Sequence, residues 1–432
     1  MFQAFIQQFS GFYSTPFFQQ ALQYAIYLSP FLLALVLADI LWPLWLRYIR
    51  AKFSYGLKYT LLELKLPKDV FKSPLAMEVV LQGIHNTANG SAYAQYWKGE
   101  YRPYYSLEIV SIEGQIKFFV WTEDRRKVGV ISALYAQYPG IEITEATDYS
   151  QAVHFDPETM KVWAADYKFT RDDKKGEHYP IRTYVDYGLL DDPKEEFKVD
   201  PLVPVLEFLG SVGPNQQIWI QFIVQAHIKN DRKPGHLWKK TDLWRDESTN
   251  LINKLMMRNP KTKGLAKELS DKLEKGEFPD IPRLSKGEQD VVSAIERRLS
   301  KQAFDVGMRA IYVAKKDDFN TPFGVGGLIA AVKHFSTEHM NGIKQDGDTW
   351  IAQFGGVPWE DYLNMRRNYN SDAVIKAYRR RSFFYPPYEG KPMVMNSEEL
   401  ATLFHLPGST AGTPTLARVP SKKAEAPTNL PI

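Results

Sequence analysis

The first 38 residues of the chain carry no charged side chain, and this constrains what the N-terminal region can be. Within it, residues 27–46 read YLSPFLLALVLADILWPLWL. A helix rises about 1.5 Å per residue, so this stretch reaches about 30 Å, the thickness of the hydrocarbon core of a bilayer. The pattern predicts a transmembrane anchor, in an N-terminal segment that extends to residue 56.

Two other interpretations of the apolar stretch are a signal peptide and a buried core helix. A signal peptide has a charged start and a small-residue cleavage site. Here the start is neutral, and aromatic residues and Arg47 follow the apolar run. A core helix is usually shorter, and Trp42, Trp45 and Tyr48 resemble an aromatic belt at a membrane interface. These features favour a true membrane span.

Positive charge flanks only the C-terminal side of the predicted span, at Arg47, Arg50, Lys52 and Lys58. Basic flanks stay on the cytoplasmic side. We therefore expect a single-pass protein of the inner (cytoplasmic) membrane, in contact with membrane lipid, with its C-terminal domain in the cytoplasm. The chain has no cysteine, which excludes disulfides and thiolate metal sites and fits a reducing compartment.

One ionisable side chain, Asp39, lies inside the predicted span. An acidic residue at membrane depth is a candidate functional residue. It is also about two turns from the basic end, where its carboxylate can reach the headgroups or pair with another helix. The sequence favours this second interpretation.

Residues 57–155 show the periodicity of an α+β unit. The predicted elements are a strand at 59–66, a helix at 73–86, a hairpin at 104–123 with its turn at Glu113-Gly114, a helix at 124–138 and a strand at 141–147. This β-α-β-β-α-β order is that of a ferredoxin-like unit, with both helices on one face of a four-stranded sheet.

A similar but inexact order recurs over residues 156–345. The predicted elements are a strand at 181–189, a helix at 200–212, a strand at 217–228, a helix at 287–303 and a strand at 308–314. Residues 229–286 form a charged helical insertion with 15 Lys and Arg against 9 Asp and Glu. We predict a second ferredoxin-like unit with this insertion; the alternative is one larger α+β domain.

No motif typical of an enzyme stands out. The glycine-rich residues 323–334 lack the phosphate-binding G-x-x-x-x-G-K-[ST] pattern and predict a loop leading into a helix. His334 and His339 lack the H-E-x-x-H spacing of a zinc site. We therefore predict no cofactor, no metal and no enzymatic activity. The net charge of +4 is too small to indicate a nucleic-acid partner by itself.

Residues 365–388 interleave basic and aromatic side chains, in a C-terminal helical or extended segment at 346–407. Such a pattern can hold phosphates and stack bases. The alternative is a segment that meets anionic lipid or an acidic protein surface. The candidate contacts with nucleic acid or a partner are Arg366, Arg367, Tyr378, Arg379, Arg380 and Arg381.

Residues 394–407, VMNSEELATLFHLP, predict a short helix capped by Ser397. Leu400, Leu403 and Phe404 form one apolar stripe on it. This stripe needs a surface to cover it, which either the rest of the chain or a partner protein could supply. Residues 408–432 are rich in Pro, Thr, Ala and Lys, and predict a flexible tail.

The run MNSEELATLFHLPG, with a following Thr-Pro stretch and Pro-x-Asn-Leu-Pro, resembles the segment before the P-loop motor in bacterial type IV secretion or conjugation ATPases. The run FVWTEDRRKVGVISALYAQYPGIEI is similar to another segment of that family, and the resemblance covers most of residues 20–432. It implies a membrane span, an α+β region and then a hexameric motor. That motor would be the partner that docks on the apolar stripe of Leu400, Leu403 and Phe404. We expect this chain to correspond to the anchor and platform without the motor, so no catalytic residue carries over.

Two functions remain open from the sequence. The first is a non-enzymatic membrane platform that positions a P-loop ATPase motor for DNA or protein translocation, and that forms a homo-oligomer in one version of the hypothesis. The second is a membrane-tethered module that binds nucleic acid, DNA in particular.

Overall fold

The structure is a computed structural model that describes residues 16–67, 72–88, 90–171, 176–189, 199–229, 231–232, 240–256, 284–347, 349–350, 359, 361–408 and 418–419. The chain divides into two compact units. Within the described residues, the first unit comprises 16–57 and 90–101, and the second comprises all the others.

The elements are numbered in chain order. The helices are α1 Pro16–Tyr55, α2 Pro74–Ile84, α3 Ala92–Trp97, α4 Lys127–Gln137, α5 Val203–Gly210, α6 Leu243–Leu255, α7 Lys286–Ser300, α8 Gly326–Ala331, α9 Met365–Arg379 and α10 Ser397–Leu403. The strands are β1 Tyr59–Pro67, β2 Tyr104–Ile112, β3 Gln115–Glu123, β4 Glu142–Ala146, β5 Met160–Phe169, β6 Gln216–Ala226, β7 Asp231–Arg232, β8 Lys240–Thr241, β9 Ala303–Lys315, β10 Ile343–Gln345, β11 Met393–Asn396 and β12 Arg418–Val419.

The first unit is built on α1, a helix of 40 residues. Its segment Gln23–Tyr55 is long and apolar enough to cross a membrane. The most apolar stretch of this segment is not buried by other parts of the chain. This fits a single-pass membrane anchor. Forty helical residues measure about 60 Å, roughly twice the thickness of a hydrocarbon core. The helix is therefore longer than the predicted span at 27–46.

The second unit is built on one ten-stranded sheet. Eight strands follow the order β10-β5-β9-β6-β2-β3-β1-β4, with β11 beside the start of β9 and β12 beside the end of β1. Neighbouring strands are antiparallel, apart from the short parallel pairing of β1 with β12. This confirms a mixed α/β fold with a large antiparallel sheet.

The strand order contains one arrangement twice. In the first half, β1, β2, β3 and β4 lie in the order β4-β1-β3-β2, and α2 and α4 lie between β1 and β2 and between β3 and β4. In the second half, β5, β6, β9 and β10 lie in the equivalent order β10-β5-β9-β6, with α5 and α8 in the equivalent connections. The two halves join where β2 pairs with β6 over nine residue pairs.

One face of the sheet carries the main hydrophobic core. Alternate side chains of the strands pack there against α2, α4, α5, α8 and α10. Representative members of this core are Leu81, Phe118, Leu134, Leu206, Phe222 and Met308, each at most 2% exposed.

Two elements predicted for the second half of the repeat are not part of it in the structure. Residues 181–189 form turns, because the carboxylate of Asp186 accepts hydrogen bonds from the N–H and hydroxyl of Thr183 and the backbone closes on itself there. The strand in that position of the repeat is β5, which the sequence did not indicate. The helix predicted at 287–303 is α7, and it belongs to the insertion rather than to the repeat.

The insertion is described in part. There α6 and α7 share a small apolar cluster of Leu251, Ile252, Val292 and Ile295. Residues 257–283 of the predicted basic insertion lie outside the described residues. So does the predicted tail, apart from Arg418–Val419, whose backbone pairs with β1.

His227 links the insertion to the sheet. One ring nitrogen lies 2.6 Å from a carboxylate oxygen of Asp305 on β9, and the other lies 3.4 Å from Asp242. Asp242 also caps α6 by accepting the N–H of Arg245 at 3.0 Å. Burial alone would lower the pKa of His227, but the two carboxylates outweigh it and raise this pKa to about 9.

This raised pKa predicts a pH-dependent contribution to stability. The charged form is favoured in the fold, so the contribution is complete below about pH 6.5 and is lost as the pH rises through about 9. His227→Gln should lower the free energy of unfolding. This loss should be up to about 3 kcal/mol larger at pH 6 than at pH 10. Urea denaturation in detergent, followed by near-UV circular dichroism, measures both values.

His154→Gln is the matched control, because His154 is exposed. Its difference from the wild type should stay constant across the same pH range. An equal difference for His227→Gln at both pH values would contradict the assigned ionic link.

Candidate coupling site: the C-terminal clasp

Residues 365–408, which we call the clasp, contact both faces of the sheet. The α9 side packs on the face opposite the main core, where the rings of Tyr378 and Trp219 lie 5.1 Å apart and Gln221 donates a hydrogen bond to the carbonyl of Tyr378. Next, β11 pairs with β9, and α10 packs against α2 within the main core. The clasp therefore passes from one face of the sheet to the other.

Arg381 is the centre of a buried ionic network beneath α9. Its guanidinium donates hydrogen bonds to both carboxylate oxygens of Glu108, at 3.0 and 3.2 Å, and to Asp148, at 3.2 Å. The side chains of Arg381 and Glu108 are 1% and 0% exposed, so water screens this pair little. Burial opposes the ionisation of Asp148, but hydrogen bonds and charge from Arg381 outweigh it and lower the pKa of that carboxyl.

Neutral donors complete the surroundings of Glu108. Its carboxylate accepts hydrogen bonds from the hydroxyl of Ser106 at 2.7 Å, the amide of Gln221 at 3.1 Å and the hydroxyl of Tyr149 at 2.8 Å. The Tyr149 hydroxyl also lies 2.6 Å from that of Tyr378. A buried carboxylate is tolerated with such partners, but removal of Arg381 would leave its charge without a counter-ion.

The end of α9 fixes the position of Arg381. The N–H of Ser382 donates to the carbonyl of Ala377 and that of Arg381 to the carbonyl of Tyr378, which is a Schellman motif. Arg381 occupies the left-handed position of this motif, with φ +50°, where glycine is usual. A residue with a side chain costs about 1 kcal/mol or more there, so the ionic network offsets backbone strain.

A second ion pair joins the clasp to the same face. Arg309 on β9 donates to Asp166 on β5 at 2.8 Å, with both side chains at most 6% exposed. The guanidinium also lies 4.8 Å from the ring centroid of Tyr388 and 3.4 Å from the carbonyl of Ser382, both in the clasp. The hydroxyl of Tyr388 donates to Asp166. The clasp thus completes the environment of a charged pair that two strands bring together.

The predicted short helix exists as α10, but its cap is Asn396 rather than Ser397. The side chain of Asn396 accepts the N–H of Glu399 at 2.7 Å, and the carboxylate of Glu399 accepts the N–H of Asn396 at 2.9 Å, which is a capping box. Ser397 lies inside the helix, where its hydroxyl donates to Glu78 at 3.1 Å.

All seven residues of α10 are buried, including its two glutamates. Glu399 pairs with Arg298 at 2.8 Å, and Glu398 pairs with Arg297 at 3.2 Å and Lys301 at 2.8 Å. The three basic residues lie at the C-terminal end of α7 and just beyond it. Burial alone would lower the pKa of Lys301, but the carboxylates of Glu398 and Glu78 outweigh it and raise that pKa.

The last described part of the clasp is held by His405. Its Nε2 lies 3.0 Å from Asp200 and its Nδ1 lies 2.9 Å from the carbonyl of Ala401. Burial favours the neutral ring, but Asp200 and the backbone carbonyl outweigh it and raise the pKa of His405. The chain is therefore tied to the core up to the residues just before Gly408.

The structure corrects the predicted nucleic-acid surface in part. Tyr378 and Arg381 are buried in the network described above, and Arg379 donates to the carbonyls of Ser150 and Val153. These three side chains serve the fold, because they cover the second face of the sheet. Of the other candidates, Arg366 and Arg380 are exposed and Arg367 is half-buried.

The predicted apolar stripe of α10 exists, and of the two covers left open from the sequence, the chain itself supplies one. Leu400, Leu403 and Phe404 are each at most 2% exposed and belong to the main core. The ring of Phe404 lies 5.9 Å from that of Phe118 and 6.4 Å from that of Phe222. The sheet itself covers the stripe, so no apolar surface of α10 is left for a motor.

Asp39 lies exposed on α1 in the first unit. Within the ranges that the structure describes, no group of three or more His, Cys, Asp or Glu side chains could hold a metal ion. The absence of a cofactor and of catalysis stays a prediction from the sequence.

Sequence analysis missed the acidic and basic partners of the clasp, namely Glu78, Glu108, Asp148, Asp166, Arg298 and Arg309. A signal was present in two of them. Glu108 and Arg309 interrupt apolar runs that predict strands, and a charge at the centre of such a strand needs a partner when the strand is buried. The partners themselves lie up to 319 residues away in sequence, so periodicity could not identify them.

Replacing Arg381 should show how much the clasp contributes to stability. We expect Arg381→Ala to lower the free energy of unfolding by about 3–5 kcal/mol, because Glu108 loses its buried counter-ion. Arg381→Gly should cost about 1 kcal/mol less, since glycine accepts the left-handed backbone without strain. Exposed Arg380→Ala is the control and should stay within about 0.5 kcal/mol of the wild type. Equal stabilities for the Arg381 and Arg380 variants would contradict the network.

Truncating Phe404 tests whether α10 belongs to the core. We expect Phe404→Ala to cost about 3–5 kcal/mol of unfolding free energy in the isolated protein, because a buried ring is lost. Leu75→Ala on α2 is the control, since Leu75 is 42% exposed, and it should cost less than about 1 kcal/mol. A Phe404→Ala variant as stable as the control would mean that α10 is not packed as described.

Comparisons with known proteins identify a family but no activity. A comparison with curated proteins found no significant match. A family model described as a domain of unknown function, DUF8128, matches residues 56–418, more than four-fifths of the chain. The match begins just after α1 and includes the whole clasp. The chain therefore belongs to the DUF8128 family.

Proposed function

We propose that this chain is a non-enzymatic, membrane-anchored platform that holds a P-loop ATPase of a type IV secretion or conjugation machine close to the inner membrane. The clasp carries this proposal. Its two buried ionic networks and its core helix tie residues 365–408 into both faces of the sheet. A segment attached after Gly408 would transmit force to the whole sheet rather than to a surface loop.

The second unit, in this proposal, is a pair of ferredoxin-like units joined edge to edge. The repeated order β4-β1-β3-β2 and β10-β5-β9-β6 supports it, together with helices α2, α4, α5 and α8 in equivalent connections. Such a wide sheet is a stiff base for a mechanical attachment. Helix α1 would supply the membrane anchor, with the second unit in the cytoplasm because Arg47, Arg50 and Lys52 follow the apolar stretch.

Residues after Gly408 would act as the tether, and the backbone of Arg418–Val419 within them pairs once more with the end of β1. A tether of this length holds a bound partner at high effective concentration, and the effect does not need an extensive interface. In this proposal the motor contacts residues 409–432, because α10 is buried in the main core and has no free apolar face. The alternative of a nucleic-acid-binding module has less support, because Tyr378, Arg379 and Arg381 make contacts within the chain.

Site-specific photocrosslinking in the native membrane tests the proposal. The chain contains no cysteine, so a single cysteine can carry a benzophenone label without further substitutions. Ser421→Cys places the label in the tail, and Val128→Cys places it on α4, where Val128 is 71% exposed. We expect a P-loop ATPase to be crosslinked from the tail position and not from position 128.

Deletion of residues 409–432 is the matched variant. It should abolish recovery of the ATPase while the chain stays in the membrane fraction with an unchanged near-UV circular dichroism spectrum. Unchanged recovery of the ATPase would contradict the tether, and crosslinks to DNA alone would favour the nucleic-acid module.

A further inference from the structure

The first unit contains an aromatic cluster that the anchor alone does not explain. The short helix α3 lies against the end of the apolar part of α1: the indole N–H of Trp45 donates to the carbonyl of Tyr96 at 3.0 Å. The rings of Trp42 and Tyr96 lie 5.8 Å apart, as do those of Trp45 and Trp97. These contacts fix α3 at the level of residues 42–45 along α1.

The backbone after α3 is held equally closely. Gly99 adopts φ +76°, and a Cβ atom at this position would lie 2.3 Å from the carbonyl oxygen of Ile49. Only glycine allows this approach. The rings of Phe53 and Tyr101 then pack edge to face, with their centroids 5.4 Å apart. The segment 90–101 is thus built onto α1 over a length that runs from Trp42 to Phe53.

The aromatic side chains of this cluster remain largely exposed. Six of them form a band on the first unit: Trp42 (47% exposed), Trp45 (37%), Tyr48 (62%), Tyr93 (63%), Tyr96 (40%) and Trp97 (59%). On α1 the band covers about 9 Å, from Trp42 to Tyr48. This is close to the thickness of one headgroup region, and Trp and Tyr prefer that region because their rings are apolar and their N–H and O–H groups are polar.

The charges beside the band fit the same environment. Lys98 follows α3 directly, with its ammonium 5.8 Å from the ring centroid of Tyr93, and Arg47 is exposed between the aromatic residues of α1. On the other side, the apolar part of α1 begins at once. A groove opens there between α1 and α3, and its lining is apolar and aromatic apart from one carboxylate: Ala38, Asp39, Leu41, Trp42, Pro43, Trp45 and Trp97. Apolar, aromatic and basic groups therefore follow one another as they do across a lipid interface.

We propose that α3 is a second membrane-contacting element, seated in the phospholipid headgroup region of the leaflet on the C-terminal side of the span. Tyr93, Tyr96 and Trp97 contact lipid, Lys98 faces the phosphates, and the groove beside Trp97 takes the upper part of a lipid acyl chain. The contact sets the depth and rotation of α1, which a single apolar helix alone does not fix. This inference rests on the proposed membrane anchoring.

Electron paramagnetic resonance on the full chain tests it. The chain is reconstituted in vesicles of phosphatidylcholine and phosphatidylglycerol, with a nitroxide on a single introduced cysteine. Tyr93→Cys and Trp97→Cys report on α3, Leu33→Cys reports on the anchor, and Val128→Cys is the exposed control on α4. Collision rates with molecular oxygen and with a neutral nickel chelate are measured, since oxygen concentrates in lipid and the chelate in water.

We expect the oxygen-to-nickel collision ratio at positions 93 and 97 to lie several-fold above that at 128 and below that at 33. A ratio equal to that at 128 would place α3 in water and overturn the inference. Low collision rates with both reagents would place it against protein and also overturn it. If the collision ratio at position 33 equals that at position 128, the proposed membrane anchoring is contradicted as well. If position 33 has the high ratio of a lipid environment and position 93 has the low ratio of water, only the inference about α3 is contradicted.

Discussion

The pairing of β2 with β6 is the contact on which the rest of the second unit depends. It joins nine residue pairs, from Tyr104 with Gln225 to Ile112 with Gln217, and turns two small sheets into one. Each half alone would present an open strand edge, which is a site for unwanted association. Joining the edges removes this liability at the centre of the molecule. The four repeat helices lie on one face of the joined sheet, so the other face still needs a cover.

The clasp covers this second face of the sheet. Helices α2, α4, α5 and α8 all contribute to the core on one side. Side chains such as Trp219 and Gln221 point to the other side, where they would be exposed without a cover. The clasp and the short helix Tyr149–Ala152 supply that cover. The buried charges of the clasp are costly to desolvate. They also fix its position on the sheet, because the guanidinium of Arg381 meets both carboxylates only where Glu108 and Asp148 lie close together.

The clasp also explains how a platform could bear load. Segments with few buried contacts open first under strain, whereas segments in the core open only with global unfolding. Here the last described residues before Gly408 include α10, which is wholly buried, and His405, which is held by Asp200. A pull on the tail would therefore act on the main core, through contacts that include Arg298 and Lys301. In the first unit, α3 would play the corresponding part at the membrane by fixing the depth of α1.

The sequence was sufficient to predict α1, both strands of the hairpin at 104–123, and helices α2, α4, α5 and α10. Each has a local signal, which is a long uncharged run, a period of two, a Ser-Pro start or a capping residue. The sequence also indicated that the fold repeats. It did not lead to a prediction of β5, although residues 166–169 (DYKF) alternate polar and apolar side chains as a strand does. It also placed a strand at 181–189, where side-chain hydrogen bonds favour turns. The roles of Arg381, Leu403 and Phe404 were decided by the tertiary structure alone. A row of arginines with aromatic residues, or an apolar stripe on a short helix, looks the same whether it faces a partner or the chain's own sheet. Only the distant residues Glu108, Asp148, Phe118 and Phe222 distinguish these cases, and they are brought into contact by strand pairing over long sequence separations.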